Sequence, residues 1–64
     1  MSFTLELYTG NTILRTINSP SLPEVGSKVY DEAATTVYTV VGVTLEIPVS
    51  EAASDVVWKI DLGT

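Results

Sequence analysis

The fold is decided by residues 3–17, whose sequence is FTLELYTGNTILRTI. Apolar and polar residues alternate over residues 3–8, as they do in a strand that buries one face. Gly10 and Asn11 form a two-residue turn signal, because both tolerate the positive φ angles of tight hairpin turns. A second apolar-rich strand follows over residues 13–17, so this segment predicts a β-hairpin.

The hairpin predicts a surface for contact with another molecule. With a two-residue loop, Tyr8 lies opposite Ile13 and Glu6 lies opposite Arg15. The core face then carries Phe3, Leu5, Leu7 and Leu14, and the opposite face carries Thr4, Glu6, Tyr8, Ile13, Arg15 and Ile17. Apolar side chains on a face that should be polar are typical of contact surfaces. We therefore predict an interface formed by Tyr8, Ile13, Arg15 and Ile17; the alternative is that a loop of the same chain covers them.

The composition extends this β pattern to the whole chain. Val, Ile and Thr make up 22 of the 64 residues, and β-branched residues suit pleated, half-buried surfaces. Gly42, in the middle of a long apolar stretch, predicts a bulge or a bend. We expect one all-β domain over residues 1–64, a small five-stranded barrel or a curled antiparallel sheet, with one helical turn at 31–34 or 50–55. The remaining strands are predicted over residues 28–30, 36–47 and 56–62.

Two segments carry a resemblance to a known group of proteins. Residues 22–29 are LPEVGSKV and residues 37–40 are VYTV. This resembles the pattern of short SH3-like barrel proteins, many of them from phages and prophages, in which Leu-Pro-x-x-Gly-x-x-Val precedes a Tyr-x-Val strand. The resemblance implies a five-stranded SH3-like barrel and a phage-encoded accessory protein. The acidic-aromatic loop of signalling SH3 domains is missing, so binding of proline-rich peptides is not implied.

The charge balance excludes several classes of partner. Eight acidic residues against three basic ones give a net charge of −5. Binding to nucleic acid depends on neutralising phosphates with Lys and Arg, and anionic membranes repel an acidic protein for the same reason. We expect neither direct nucleic-acid binding nor membrane binding. The acids are scattered, which is typical of a solvated surface; the alternative is a protein that mimics nucleic acid.

The residue types also argue against catalysis. The chain has no histidine, the commonest general acid or base, and no cysteine, so a thiol nucleophile is excluded. The residues around the adjacent acids Asp31 and Glu32 do not have the ligand spacing of a calcium loop. A zinc site is not expected either, because the chain has neither of the usual zinc ligands, histidine and cysteine. The glycines are isolated and form no phosphate-binding loop. We expect a protein that is not an enzyme and holds neither cofactor nor metal.

Three aromatic residues support a different hypothesis. Tyr30, Tyr38 and Trp58 are amphipathic, and such residues are common at binding sites. They could line a pocket for a small ligand between subunits. The competing interpretation makes Trp58 a core residue and places the tyrosines at the rim of the barrel.

These observations together predict a non-enzymatic protein-interaction module. We expect a homodimer, encoded by a phage, that binds a host or viral protein in the cytoplasm and modulates or inhibits it. The alternatives are a small-ligand-binding protein with the aromatic pocket, or an acidic mimic of nucleic acid.

Overall fold

Five β-strands account for all the regular structure in the computed structural model, which describes residues 2–47, 49 and 56–64. The prediction of a five-stranded all-β fold is confirmed. Residues 32–35 form a turn and not a helix, and the other predicted helical turn, at 50–55, lies outside the described residues. Within the described ranges, no helix is long and apolar enough to cross a membrane. The strands are β1 (Phe3–Thr9), β2 (Thr12–Ser19), β3 (Lys28–Asp31), β4 (Thr36–Glu46) and β5 (Val57–Gly63).

The strands form a single sheet in the order β2-β1-β5-β4-β3. The sheet curls into a half-barrel. Three of its pairings are antiparallel, as expected, but β1 and β5 run parallel to each other at its centre. The apolar pattern of a strand shows which face is buried but carries no information on its neighbours, so the pattern does not predict this mixed topology. The order leaves β2 and β3 as the two edges.

The core lies under the three central strands. Val40 and Ile60 are completely buried, since β4 and β5 place them where the curled sheet encloses its concave face. The fully buried core consists of Leu5, Leu7, Val40, Ile60 and Leu62. Half-buried apolar residues surround it: Phe3, Leu14, Leu22, Val29, Tyr38, Val43 and Trp58. This is a small core for a chain in which almost half of the residues are hydrophobic.

The β1–β2 hairpin contains a β-bulge that the sequence pattern did not indicate. Tyr8 lies opposite Ile13, as predicted, but Leu7 lies opposite Arg15, and the register shifts between Leu7 and Tyr8. Leu14 is therefore an extra residue in β2. A bulge of this kind moves every later residue of the strand to the other face.

The predicted faces of β2 were wrong beyond this bulge. Ile17 lies opposite Leu5, so Arg15 and Ile17 share the concave face with the core and do not lie on the outer face. Glu6 lies opposite Thr16 and not opposite Arg15. The predicted Glu6–Arg15 pair does not form because the two side chains lie on opposite faces of the sheet.

Two glycines have the roles that their positions indicated. Gly10 has a φ of 64° while Asn11 keeps a negative φ, which is the pattern of a type II′ hairpin turn. The register of β4 shifts between Val40 and Gly42, which confirms the predicted bulge. A Cβ atom at Gly42 would lie 3.0 Å from Asp61 Oδ2, so the close approach of β5 also favours glycine there.

Candidate functional site

The two edge strands face each other across an opening, which we call the seam. The curl of the sheet brings β2 and β3 close enough for Arg15 Nη2 to lie 3.3 Å from Asp31 Oδ1. Both strands are fully described, and no Cα atom of one lies within 8 Å of a Cα atom of the other. Paired strands lie about 4.8 Å apart. The half-barrel is therefore open along the seam, and a side-chain contact spans the opening.

A cleft with a volume of about 240 Å³ lies in the seam. Its floor is apolar because the bulge turns Leu14 toward Leu7 and toward the concave face. On the β3 side, Val29 faces the same space. The lining residues are Leu7, Leu14, Arg15, Ile17, Val29, Tyr30, Asp31, Glu32 and Ala33.

The ion pair across the cleft has one fixed and one exposed partner. The Asp31 side chain is only 8% exposed, whereas that of Arg15 is 50% exposed. The Ala33 backbone N–H donates to Asp31 Oδ1 at 3.1 Å, which holds the carboxylate in the turn after β3. Glu32 follows directly, and in the described part of the chain the Arg15–Asp31 contact is the only ion pair. Two acids and one cation thus line the cleft, leaving one uncompensated negative charge.

The turn beside the cleft contains a strained residue. Thr35 has a φ of 49°, a left-handed conformation that β-branched residues rarely adopt. Its backbone N–H donates to the Glu32 carbonyl at 3.3 Å, which closes the four-residue connection between β3 and β4. Backbone strain of this kind is concentrated at functional sites. The strain here lies next to residues that line the cleft.

The backbone of β2 offers free hydrogen-bonding groups to the seam. In an antiparallel pair, hydrogen-bonded and non-hydrogen-bonded residue pairs alternate. Counted from the hairpin turn, Thr16 and Asn18 lie in non-hydrogen-bonded pairs with β1, so their N–H and C=O groups point toward the seam. Side chains are closer in such pairs, and Thr4 Oγ1 donates to Asn18 Oδ1 at 3.2 Å.

A second surface lies on the convex side of β3 and β4. Tyr30 lies opposite Val37, and Val41 lies farther along β4, beyond the Lys28–Thr39 pair, in which Lys28 Nζ donates to Thr39 Oγ1. We call Tyr30, Val37 and Val41 the outer strip; they are 57%, 55% and 58% exposed. Their neighbours in sequence, Val29 and Val40, face inward, so alternation along each strand places the strip in solvent.

The structure divides the four predicted interface residues between two surfaces. Tyr8 and Ile13 lie on the convex face, and Ile13 is 48% exposed. Arg15 and Ile17 line the cleft instead. Lys59 Nζ lies 4.7 Å from the centre of the Tyr8 ring and covers part of it. The four residues do not form one contact surface on the subunit, and the bulge at Leu14 is the reason.

The convex face around Tyr8 is acidic. Burial, followed by the charges of Glu6, Glu46 and Asp61, raises the pKa of the Tyr8 phenol. A hydrogen bond with the Glu46 carboxyl raises the pKa of Glu6; burial and the Glu46 charge act in the same direction. Lys59 is the cation among these acids. The arrangement makes this part of the convex face polar, unlike the outer strip.

The predicted aromatic ligand site is not assembled within one subunit. Tyr38 and Trp58 pack against the core on the concave side. Tyr30 belongs to the convex outer strip and is also one of the residues that line the cleft. The cleft is also smaller than the roughly 300 to 1,000 Å³ of small-molecule pockets. In the described part of the chain, no three acidic side chains come close enough to hold a metal ion.

Comparison with known proteins gives no match to a family model, to a curated protein or to a solved structure. The resemblance to phage SH3-like barrels therefore stays a prediction. The curled five-stranded sheet is consistent with such a barrel.

Proposed function

We propose that the chain is a non-enzymatic protein-interaction module that works as a homodimer, formed by packing the outer strip of one copy on that of another. The observation that carries the proposal is the exposure of Tyr30, Val37 and Val41, each more than half exposed on one face of β3 and β4. Tyr30 and Val37 are cross-strand neighbours, and adjacent apolar side chains on the face of a sheet are typical of contact surfaces.

The small core supports the same proposal. Among the described residues, only five side chains are buried, while ten large apolar residues are exposed. Burial of apolar surface contributes about 25 cal/mol per Å², so a small domain gains much of its missing stabilisation when it buries such a surface against another copy. A symmetric dimer does this with one surface that is used twice.

The further partner is proposed to be a host or viral protein, which the module modulates or inhibits in the cytoplasm. This part rests on the resemblance to phage-encoded barrels and on the scarcity of cationic groups, which disfavours nucleic acid. Within one subunit Tyr30 lies on the face opposite Tyr38, so the small-ligand alternative requires a pocket that is shared between subunits.

The mass in solution tests the proposed dimer. Light scattering with size-exclusion chromatography should give twice the 6.9 kDa of one chain at micromolar concentrations. The variant Val37→Asp should run as a monomer, because the dimer would bury its carboxylate without a partner. The matched control is Val25→Asp, in a residue that is 66% exposed outside the strip, and it should remain a dimer. A wild-type monomer at all concentrations, or a Val37→Asp dimer, would contradict the proposal.

A further inference from the structure

The seam is the strongest unassigned feature of the molecule. It combines an unpaired eight-residue strand edge, an apolar cleft and one excess negative charge. We propose that the seam binds an extended segment of another protein, which adds to β2 as a strand, places alternate apolar side chains in the cleft and carries a basic residue at its C-terminal end. The site shares Tyr30 with the outer strip but uses neither Val37 nor Val41, and it does not depend on the proposed dimer.

A single strand as the occupant agrees with the lower bound on the separation of the two edges. For a strand to lie midway between β2 and β3, these two strands must be separated by two strand spacings of about 4.8 Å each, or roughly 9.6 Å. No Cα atom of β2 lies within 8 Å of one of β3, so the two edges are too far apart to pair directly. The edge of a second copy would bring its whole sheet with it and collide with β3. A lone extended segment has no such attached sheet.

The backbone and the cleft floor provide two kinds of recognition. Thr16 and Asn18 present N–H and C=O groups to the seam, and main-chain hydrogen bonds are the source of affinity in strand addition. Ile17 and Val29 line the cleft from opposite edges. Side chains that point inward from an added strand, two residues apart, would contact these apolar groups. A segment with alternating apolar residues fits this arrangement.

The charges give the position of the basic residue in a segment that runs antiparallel to β2, as β1 does. β2 and β3 run in opposite directions in the sheet, and Arg15 lies level with Asp31. The acids Asp31 and Glu32 therefore lie at the N-terminal end of β2, where a strand antiparallel to β2 would have its C-terminus. Asp31 is already bound by Arg15 and by the Ala33 amide, but Glu32 is exposed. A Lys or Arg at the C-terminal end of the segment complements Glu32.

The test uses an acetylated, amidated seven-residue peptide, Thr-Val-Thr-Val-Thr-Val-Lys, titrated into ¹⁵N-labelled protein and followed by amide chemical shifts. We expect saturable shifts at Thr16 and Asn18, with a Kd below about 1 mM. Replacing the terminal Lys by Glu should weaken binding about fivefold at low salt. A peptide that is N-methylated at every residue has no N–H group to donate from either edge, so it cannot add as a strand and should not bind.

Matched variants of the protein locate the site. Ile17→Asp places a charge in the cleft and should weaken binding by at least about tenfold. Ile13→Asp makes the same change on the convex face of the same strand and should alter affinity less than about twofold. Val37→Asp, the dimer variant, should bind the peptide as the wild type does, so failure of the dimer and failure of the seam are distinguishable.

The proposal would be overturned if the peptide caused no saturable shifts, if the N-methylated peptide bound as tightly as the unmodified one, or if Ile17→Asp bound the peptide with unchanged affinity. It would also be overturned if the amides of Thr16 and Asn18 shifted when the protein alone was concentrated but did not respond to peptide. The last result would make the occupant a second copy of this chain. Amide spectra of each variant without peptide confirm that it is folded.

Discussion

The centre of the sheet and its seam differ in how completely the chain covers its own apolar groups. At the centre, Val40 and Ile60 have no exposed surface, and β1, β5 and β4 are paired on both sides. At the seam, Ile17 is 37% exposed, and strands β2 and β3 each have only one neighbour. The buried centre therefore carries most of the stability of the sheet, and the proposed binding site lies at its edge strands. Substitutions in each region test that division.

The largest effect is expected at the centre. Ile60→Ala should lower the free energy of unfolding by about 3 kcal/mol, because it leaves a cavity in a fully buried site. In a domain of this size such a loss is a large part of the total stability. Urea denaturation monitored by Trp58 fluorescence measures it. The control Ile13→Ala, on the exposed convex face, should cost less than about 0.5 kcal/mol. Equal losses would mean that the core is not where the sheet places it.

The next largest loss of stability is expected when the ion pair that spans the seam is removed. Asp31→Ala should destabilise the fold by about 1 to 2 kcal/mol, because the Ala33 amide and Arg15 both lose their acceptor. Arg15→Ala should cost less than about 1 kcal/mol, since the half-exposed guanidinium contributes little by itself. Urea denaturation of both variants checks the order. A larger loss for Arg15→Ala would show that the bridge, and not the turn, is the main role of Asp31.

A substitution at the strained residue of the turn, Thr35, should raise stability, whereas the substitutions above lower it. Thr35→Gly should raise the free energy of unfolding by about 0.5 to 1 kcal/mol, because glycine adopts a φ of 49° without the Cβ clash. Ala34→Gly, in the same turn at an ordinary negative φ, should lower stability by about 0.5 kcal/mol. Thermal unfolding of the pair measures the difference. If both variants were less stable than the wild type, the left-handed conformation at Thr35 would be contradicted.

The smallest effect concerns the acidic convex face and depends on pH. The pKa of Glu6 is raised in the folded protein, so folding is favoured at pH values where this carboxyl is protonated, and that contribution is lost as the pH rises through the folded pKa. Glu6→Gln should therefore raise the melting temperature by about 2 °C at pH 7. The gain should disappear below the ordinary carboxyl pKa of 4.5. Glu24→Gln, in the loop before β3, is the control, and a gain that persists at pH 3 would refute the interaction with Glu46.

Much of the fold was predictable from local pattern. Alternation along β5 indicates that Trp58, Ile60 and Leu62 share one face, because the side-chain period of a strand is two, and all three lie on the core side. Gly42 correctly marked the bulge in β4, since a glycine inside an apolar strand indicates a close approach or a kink. These signals need only neighbouring residues and no knowledge of distant contacts.

The seam could not be predicted in the same way. The bulge at Leu14 has no glycine to mark it, so the expected register moved Arg15 and Ile17 to the wrong face. The parallel pairing of β1 with β5 depends on contacts between the two ends of the sequence, which periodicity does not show. Both features are needed to place Ile17 opposite Val29 across an open gap. The four predicted interface residues therefore belong to the predicted hairpin but lie on two different surfaces of it.

Residue-resolved amide hydrogen exchange tests the central claim, that the sheet is closed at its centre and open at the seam. In the protein alone, the amides of Thr16 and Asn18 should exchange at rates close to those of an unstructured chain, while those of Leu7 and Ile60 should be among the slowest. If Thr16 and Asn18 were as strongly protected as Ile60, at any protein concentration, then the chain would cover its own edge and β2 would have no free groups to offer a partner.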